Sequence, residues 1–428
     1  MKVDLVVANL KEVVTVAGPP GPRTGKHLRE LGVIQDGAVA VSGGRIVAVG
    51  ARRDVTAEYQ PAETVDGRGG VALPGFVDAH THLVYAGSRE TEFERRLRGE
   101  SYQDIARAGG GIRATVRRVR EATLHDLVRE AIPRLDRMLA HGTTAAEAKT
   151  GYGLSLEDER KSLDAIHALR RVHPVDLVPT FLGAHEVPDE YRGNREGYIR
   201  LVCEEMIPDL AAQAIFCDVF CEEGVFTPAE SRRILLAARS AGMALKVHAD
   251  ELGPSGGADL AAELHACSAD HLVAITPAAI RRLRSAGVIA VLLPGTSFFL
   301  RLPKRAPARA LIEEGVPVAL GTDCNPGSSP TESLSLVVTL ACLELGMLPA
   351  EAISAATINA AYAVGRGEDK GSLEPGKAAD IVLYDVPSWR AIPYHFGVSR
   401  VDRVFVRGRL VFERGRPCYP APPGSGRA

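Results

Sequence analysis

Two histidines one residue apart, His80 and His82, follow the stretch Leu73-Pro74-Gly75-Phe76-Val77-Asp78-Ala79. On an extended strand, residues i and i+2 face the same way. The two imidazoles can then reach a single ion, and imidazole nitrogen ligates zinc, iron, nickel or copper. Alone, a His-x-His is weak evidence, and its weight depends on its company. That company is polar residues at the ends of other apolar runs: Glu147 and Lys149 before Gly151-Tyr152-Gly153, then Gly183-Ala184-His185, Cys221-Glu222-Glu223, His248-Ala249-Asp250-Glu251, Asp270-His271, Pro294-Gly295-Thr296, and Gly321-Thr322-Asp323-Cys324-Asn325-Pro326-Gly327-Ser328. Of the 12 histidines, His80, His82, His185, His248 and His271 fall at such ends. His125, His141 and His167 lie in helical patterns and read as helix-surface residues.

Residues at run ends meet only if the runs are strands of one sheet. Strand candidates fall at 75–82, 143–148, 176–182, 215–220, 244–248, 269–272, 288–293 and 316–320. Helical patterns at 124–141, 156–172, 228–241 and 277–286 alternate with them. Such alternation predicts a parallel sheet, and eight repeats predict an α/β fold of the (β/α)8 barrel class. In these barrels the chemistry sits at the carboxyl ends of the strands. Outside the barrel, 3–8, 38–41 and 45–49 are β-rich, with Gly43-Gly44 as a hairpin turn. Residues 17–31 read as a loop. At the other end, 379–383, 400–406 and 409–412 are β-rich, with Arg407-Gly408 as a turn. Neither end has enough strands to bury a core alone. The expectation is one small β-sandwich from residues 1–73 and 369–428, flanking a barrel of residues 74–368.

Composition bounds the function. With 46% hydrophobic and 24% charged residues and a net charge of −2, the 428-residue chain has the balance of a soluble globular protein. Arg117-Arg118 and Arg170-Arg171 fit solvated helix faces, so no basic surface argues for nucleic acid. No apolar run reaches membrane-spanning length, and the first ten residues read as a strand, not a secretory signal. Seven cysteines without a CxxC pair point to reduced thiols and a cytoplasmic setting.

His80 and His82 on strand one, His248 on strand five, His271 on strand six and Asp323 on strand eight together resemble the amidohydrolase superfamily. Gly371-Ser372-Leu373-Glu374-Pro375-Gly376-Lys377-Ala378-Ala379-Asp380 is similar to its return into the sandwich. Within it, Tyr85-Ala86-Gly87-Ser88-Arg89, Lys149-Thr150-Gly151-Tyr152-Gly153, Thr180-Phe181-Leu182-Gly183-Ala184-His185, His248-Ala249-Asp250-Glu251 and Asp323-Cys324-Asn325-Pro326-Gly327-Ser328 resemble the imidazolonepropionase family. The resemblance spans essentially the whole chain. It implies hydrolysis of 4-imidazolone-5-propanoate to N-formimidoyl-L-glutamate in histidine degradation. It implies one zinc or iron ion held by His80, His82, His248 and Asp323. It implies substrate contacts from Arg89, Tyr152, His185, Glu251, Asn325, Gly327 and Ser328. The chemistry of ring opening adds catalytic roles: His271 to orient the water or donate to the oxyanion, Asp323 to accept the water's proton, and Glu251 at the ring. Three neutral imidazoles and one carboxylate leave a +2 ion with charge near +1 and an open position, where water ionises near neutral pH. Arg89 offers a planar fork suited to a carboxylate, and Glu251 is placed to meet a ring N–H or to pair with Lys246.

Two related chemistries compete. A mononuclear deaminase acting on a nucleobase-like heterocycle would share the strand-end histidines, but has no use for an arginine placed for a carboxylate tail. A binuclear cyclic amidase bridges its metals through a carboxylated lysine on strand four, and 215–223 contains no lysine. A non-catalytic barrel serving as a scaffold would be expected to have lost ligands. The apolar helical stretch 332–345 points to a homodimer.

Overall fold

In the computed structural model, which describes residues 1–100, 104 and 109–421, both chain ends enter one mixed sheet. The N-terminal part supplies β1 (Lys2–Val14), β2 (Val33–Ser42), β3 (Arg45–Ala51), β4 (Gln60–Asp66) and β5 (Val71–Pro74). Gly43 and Gly44, both at positive φ, make the β2–β3 hairpin turn. β1 departs from regular register at Asn9, which adopts φ 55°. Its first half pairs with β4 and its second half with β5, so one strand serves two parts of the sheet. Residues 17–31 contain one short 3-10 turn, Gly25–Arg29.

The barrel strands are β6 (Phe76–Asp78), β7 (Thr143–Lys149), β8 (Asp176–Ala184), β9 (Phe216–Cys221), β10 (Ala244–Ala249), β11 (Ser268–His271), β12 (Ile289–Leu292) and β13 (Val318–Leu320). They pair in parallel, in sequence order. An isolated parallel bridge between Thr81 and Cys324 joins the first strand to the eighth. The Asp323 amide donates to the His80 carbonyl at 2.9 Å, and the His82 amide to the Cys324 carbonyl at 3.0 Å. Buried Asp78 reinforces this seam by accepting from the Thr322 amide and hydroxyl at 2.9 and 2.6 Å. Gly321 permits the approach, since a β-carbon there would lie 2.9 Å from the His80 nitrogen.

The returning helices start where the sequence supplies caps. Thr123, Ser155, Thr227, Thr276 and Ser333 each accept a backbone N–H at the start of helices Leu124–Ala140, Leu156–Val172, Pro228–Ser240, Pro277–Ala286 and Leu334–Leu345. The last of these is apolar because it packs inward: Leu334, Val337, Val338 and Ala341 are fully buried, and Leu343 alone among its large apolar side chains is strongly exposed.

After the barrel, β14 (Ile381–Tyr384), β15 (Val401–Val406), β16 (Arg409–Glu413) and β17 (Arg416–Pro417) complete the terminal sheet, with β14 antiparallel to β5. Both faces of this sheet are covered. Leu5, Val7, Val39, Val41, Ile381, Leu383 and Phe405 form one apolar cluster, and Val3, Val6, Ala38, Ala40 and Val55 form another. Of the expected C-terminal portion 369–428, residues 422–428 lie outside the described residues.

Candidate metal centre

β6 ends at Asp78, so His80 and His82 are not on the strand itself. They occupy the extended stretch beyond it, which the Thr81–Cys324 bridge holds straight enough to aim both rings the same way. Their Nε2 atoms lie 3.3 Å apart. His248, near the end of β10, brings its Nε2 to 3.4 Å from that of His82. Asp323, just past β13, places Oδ1 3.5 Å from the Nε2 of both His80 and His82. A regular tetrahedron with metal–nitrogen bonds of ~2.0–2.1 Å has edges of ~3.3–3.4 Å. The His80, His82 and Asp323 atoms stand at such spacings, and His248 Nε2 adds a further donor against His82, so the residues fit a divalent metal ion. The chemistry of the set agrees: burial holds His80 and His82 well below the usual imidazole pKa, so both rings offer lone pairs.

Outer partners fix which nitrogen faces inward. His80 Nδ1 lies 2.6 Å from Asp270 Oδ2, and His248 Nδ1 lies 2.9 Å from Asp218 Oδ2. A carboxylate on Nδ1 leaves Nε2 for the ion. Asp323 Oδ2 accepts from the Thr296 hydroxyl at 2.6 Å, leaving Oδ1 to face the histidines. His271 shares the pocket, with ligand atoms of His80, His248 and His271 all within 4.8 Å of one another. Asp323 and His271 adopt φ 53° and 75°, as do their neighbours Leu272 and Asp250 at 60° and 51°. Such left-handed backbone at non-glycine residues costs ~1–3 kcal/mol each and clusters where a site over-determines it.

Residues 71–411 match the amidohydrolase family. The chain belongs to that family. It is 50% identical to a protein of Geobacillus sp. (strain WCH70) named imidazolonepropionase, over 97% of this chain and 99% of that one. It is 52% identical to a protein of the same name from Symbiobacterium thermophilum (strain DSM 24528 / JCM 14929 / IAM 14863 / T), over 97% and 98%. Among solved structures, an adenosine deaminase from Xanthomonas campestris with bound zinc aligns at TM-score 0.69 and 21% identity, over 97% of this chain and 94% of that one. A triazine hydrolase variant aligns at TM-score 0.72 and 18% identity, over 97% and 96%. At those identities the structural likeness carries the fold alone.

Around the ion site stand the other residues picked out in the sequence. Tyr152 is buried 5.9 Å from His82 and 5.3 Å from His185, centroid to centroid. His185 stacks on His82 at 5.0 Å. Its Nδ1 faces the Gly151 carbonyl at 2.9 Å, and a carbonyl only accepts. Burial pushes His185 down to about 3, so the ring is neutral, with Nδ1 protonated. Its Nε2 is therefore an acceptor. Glu251 is almost wholly enclosed, 3.6 Å from His271 Nδ1. Burial, then the charges of Asp323 and Glu222, push its carboxyl up to about 8. It does not pair with Lys246, which bonds Glu147 at 2.9 Å instead.

Arg89 is 15% exposed and held by Glu92, whose Oε2 accepts from Nε and Nη2 at 3.0 and 2.7 Å. Its guanidinium lies against Gly327, where any β-carbon would collide with Nη1. Asn325 spends its amide on its own loop: Oδ1 accepts from the Gly327 and Ser328 amides, both at 2.8 Å, and Nδ2 donates to the Asp323 carbonyl at 2.7 Å. Asn325 and Ser328 thus shape the loop on which Arg89 rests.

The sequence placed Glu147, Lys149 and Asp270 at strand ends but did not join them to Asp218 and Lys246 beneath the site. Glu147, Lys149, Asp218, Lys246 and Asp270 are all fully buried inside the barrel. Lys149 Nζ lies 2.6 Å from Asp218, 2.9 Å from Glu147 and 3.8 Å from Asp270. Burial alone would lower its pKa, but these three carboxylates together hold it above the usual lysine value. The available signal was Glu147 and Lys149 at alternate positions of an otherwise small and apolar strand, which puts both on the barrel's inner face. His141 also departs from a surface role: it closes its helix half-buried, between the Ser333 and Ser335 hydroxyls at 3.1 and 3.2 Å.

Proposed function

We propose that this chain hydrolyses 4-imidazolone-5-propanoate to N-formimidoyl-L-glutamate, with His80, His82, His248 and Asp323 holding one zinc or iron ion. Nitrogen and oxygen donors suit either metal. The observation that carries the reading is the meeting of that four-atom set with a shielded arginine, Arg89, in a chain about half identical to imidazolonepropionases over nearly its full length. When bound, the ion supplies a water ionised near neutral pH and polarises the ring carbonyl.

The protein's residues do the rest. Arg89, pre-oriented by Glu92, presents its remaining N–H groups to the propanoate. His185 Nε2, as an acceptor, takes a ring N–H, and Tyr152 packs beside it. Water adds to the ring carbonyl carbon, the ring C–N bond breaks, and one water proton ends on the departing nitrogen. Asp323 Oδ2, tied to Thr296, holds the carboxylate so that Oδ1 faces the incoming water. Glu251, whose buried carboxyl favours the protonated form, gives its proton to that nitrogen and recovers the one the water loses, with His271 beside it to stabilise the developing oxyanion.

The direct test is turnover of freshly prepared imidazolonepropanoate by metal-replete protein, with metal per chain measured alongside. Turnover that tracks one metal per chain supports the reading. No turnover at one metal per chain would remove the substrate assignment while leaving the metal site standing. We place the enzyme in the cytoplasm, in keeping with seven unpaired cysteines. Among the described residues, no helix is long and apolar enough to cross a membrane. We propose a homodimer, read by sedimentation. Its contact would not be the buried face of Leu334–Leu345.

A further inference from the structure

Beneath the ion site, one oxygen or nitrogen each from His80, Glu147 and Asp270 lies within 4.8 Å of the others. By donor type this resembles a second cation site. Two ammonium groups serve it instead. Lys246 Nζ bonds Glu147 Oε2 at 2.9 Å and the Ala79 carbonyl at 3.1 Å. Lys149 Nζ bonds Asp218 Oδ2 at 2.6 Å and Glu147 Oε2 at 2.9 Å, and stands 3.8 Å from Asp270 Oδ2. Those same two oxygens, Asp218 Oδ2 and Asp270 Oδ2, face Nδ1 of His248 and His80. One ammonium is thus shared between the carboxylates that orient two of the three imidazoles.

We propose that Lys149 is a positioning residue of the metal centre, a built-in cation that holds Asp218 and Asp270 where they orient His248 and His80. Asp218 and Asp270 are otherwise satisfied: Asp218 Oδ1 accepts from the Val219 amide at 2.7 Å, and Asp270 Oδ1 from the Ser268 hydroxyl at 2.6 Å. Only the oxygens that face the imidazoles depend on Lys149. The inference rests on His80, His82, His248 and Asp323 being the metal ligands.

Charge and orientation predict opposite signs, which makes the role separable. Removing a buried positive charge near a cation site would, by Coulomb attraction alone, tighten metal binding. Releasing the outer carboxylates would weaken it, by the ~10–100-fold typical of lost outer partners. The experiment is a chelator competition with cobalt(II) on the full-length chain, read by affinity and by the visible absorption that reports four-coordinate geometry. Wild type is expected to bind one cobalt tightly. Lys149→Met is expected to bind ~10–100-fold more weakly with an altered spectrum. Lys246→Met, whose ammonium bonds Glu147 and the Ala79 carbonyl and acts on Asp270 only through its charge, is expected to lose clearly less affinity than Lys149→Met. Should Lys149→Met not fold, Lys149→Gln retains a donor to Asp218 and is expected to fall between wild type and the loss expected for Met. Unchanged or tighter cobalt binding by either folded Lys149 variant overturns the proposal, as does an equal loss in Lys246→Met. No cobalt bound by wild type would instead overturn the ligand assignment beneath it.

Discussion

The terminal sheet and the barrel mouth are both buried, but they bury different things. The sheet covers its two faces with Val, Leu, Ile and Phe, whose exclusion from water is the ordinary source of stability. The barrel interior below the mouth encloses Glu147, Lys149, Asp218, Lys246 and Asp270. Charges taken from water cost several kcal/mol each before pairing offsets it. Above them, Asp323, His271 and Leu272 hold left-handed backbone. The sheet stabilises the fold, while the mouth draws on that stability to keep polar groups aimed. Changes in the sheet should move stability and leave chemistry alone, and changes at the mouth should do the reverse.

The largest departure is expected at the ion site. His80→Ala and Asp323→Ala should each lose bound metal and ~10³-fold or more of kcat/KM, since metal activation supplies several kcal/mol. Wild-type metal content in both would break the comparison at its centre. Next is Arg89→Ala. Removing one partner of a shielded charged pair costs on the order of 2–5 kcal/mol, so kcat/KM should fall by roughly 30-fold to several thousand-fold. Arg89→Lys should recover only part of it. An imidazolone without the carboxylate should show a much smaller loss; an equal loss on both ligands would mean that Arg89 does not read the tail. On the other side of the comparison, Ile381→Ala, fully buried in the sheet, should cost ~2–5 kcal/mol in denaturant unfolding with metal content and kcat per folded chain unchanged.

Glu251 tests the mouth through pH. In the metal-free protein its carboxyl titrates near 8, against an unfolded value near 4.5. Between these, the folded state holds a proton that the unfolded state has released, so stability falls as pH rises. Glu251→Gln removes that slope: its gain in Tm over wild type should be small near pH 5, grow toward pH 8 and level off above. A gain independent of pH would show that Glu251 is not held neutral. The smallest effect belongs to Arg407→Gly. Arg407 sits at φ 48° in the β15–β16 turn, where glycine is at no disadvantage, so a gain of about 1 kcal/mol or less is expected, with no change in turnover.

How much could be read beforehand differed between the two regions for the same physical reason. Barrel strands announce themselves as short apolar runs, and the eight expected segments each contain an observed strand, offset by a residue or two at most ends. The exception was 75–82, where the strand is only Phe76–Asp78 and the histidines ride on the bridge to Cys324. That bridge joins residues more than 240 positions apart, which local pattern cannot show. In the terminal sheet, Gln60–Asp66 escaped notice because its side chains are mostly exposed and polar. At the site, residue types and order pointed to His80, His82, His248 and Asp323, and the structure brings them together. The direction of the His185 proton and the commitment of Asn325 to its own loop depend on which partners arrive, which is a property of three dimensions.

The seam between the first and eighth barrel strands has a consequence for how the protein is made. His80 and Asp323 are joined by a backbone hydrogen bond at 2.9 Å, and their side chains stand 3.5 Å apart at the proposed ion site. A ribosome delivers His80 long before Asp323, and the contact between them is a long-range one. Such long-range closure is slow. The β5–β14 pairing waits longer still, for residues 381–384. Until the ring shuts, the nascent chain carries three imidazoles of the site, His80, His82 and His248, with no Asp323 carboxylate opposite them. The proposed four-donor set is therefore complete only after the eighth strand has been made, and a chain stopped before residue 323 would offer imidazoles alone, however well its first seven strands had formed.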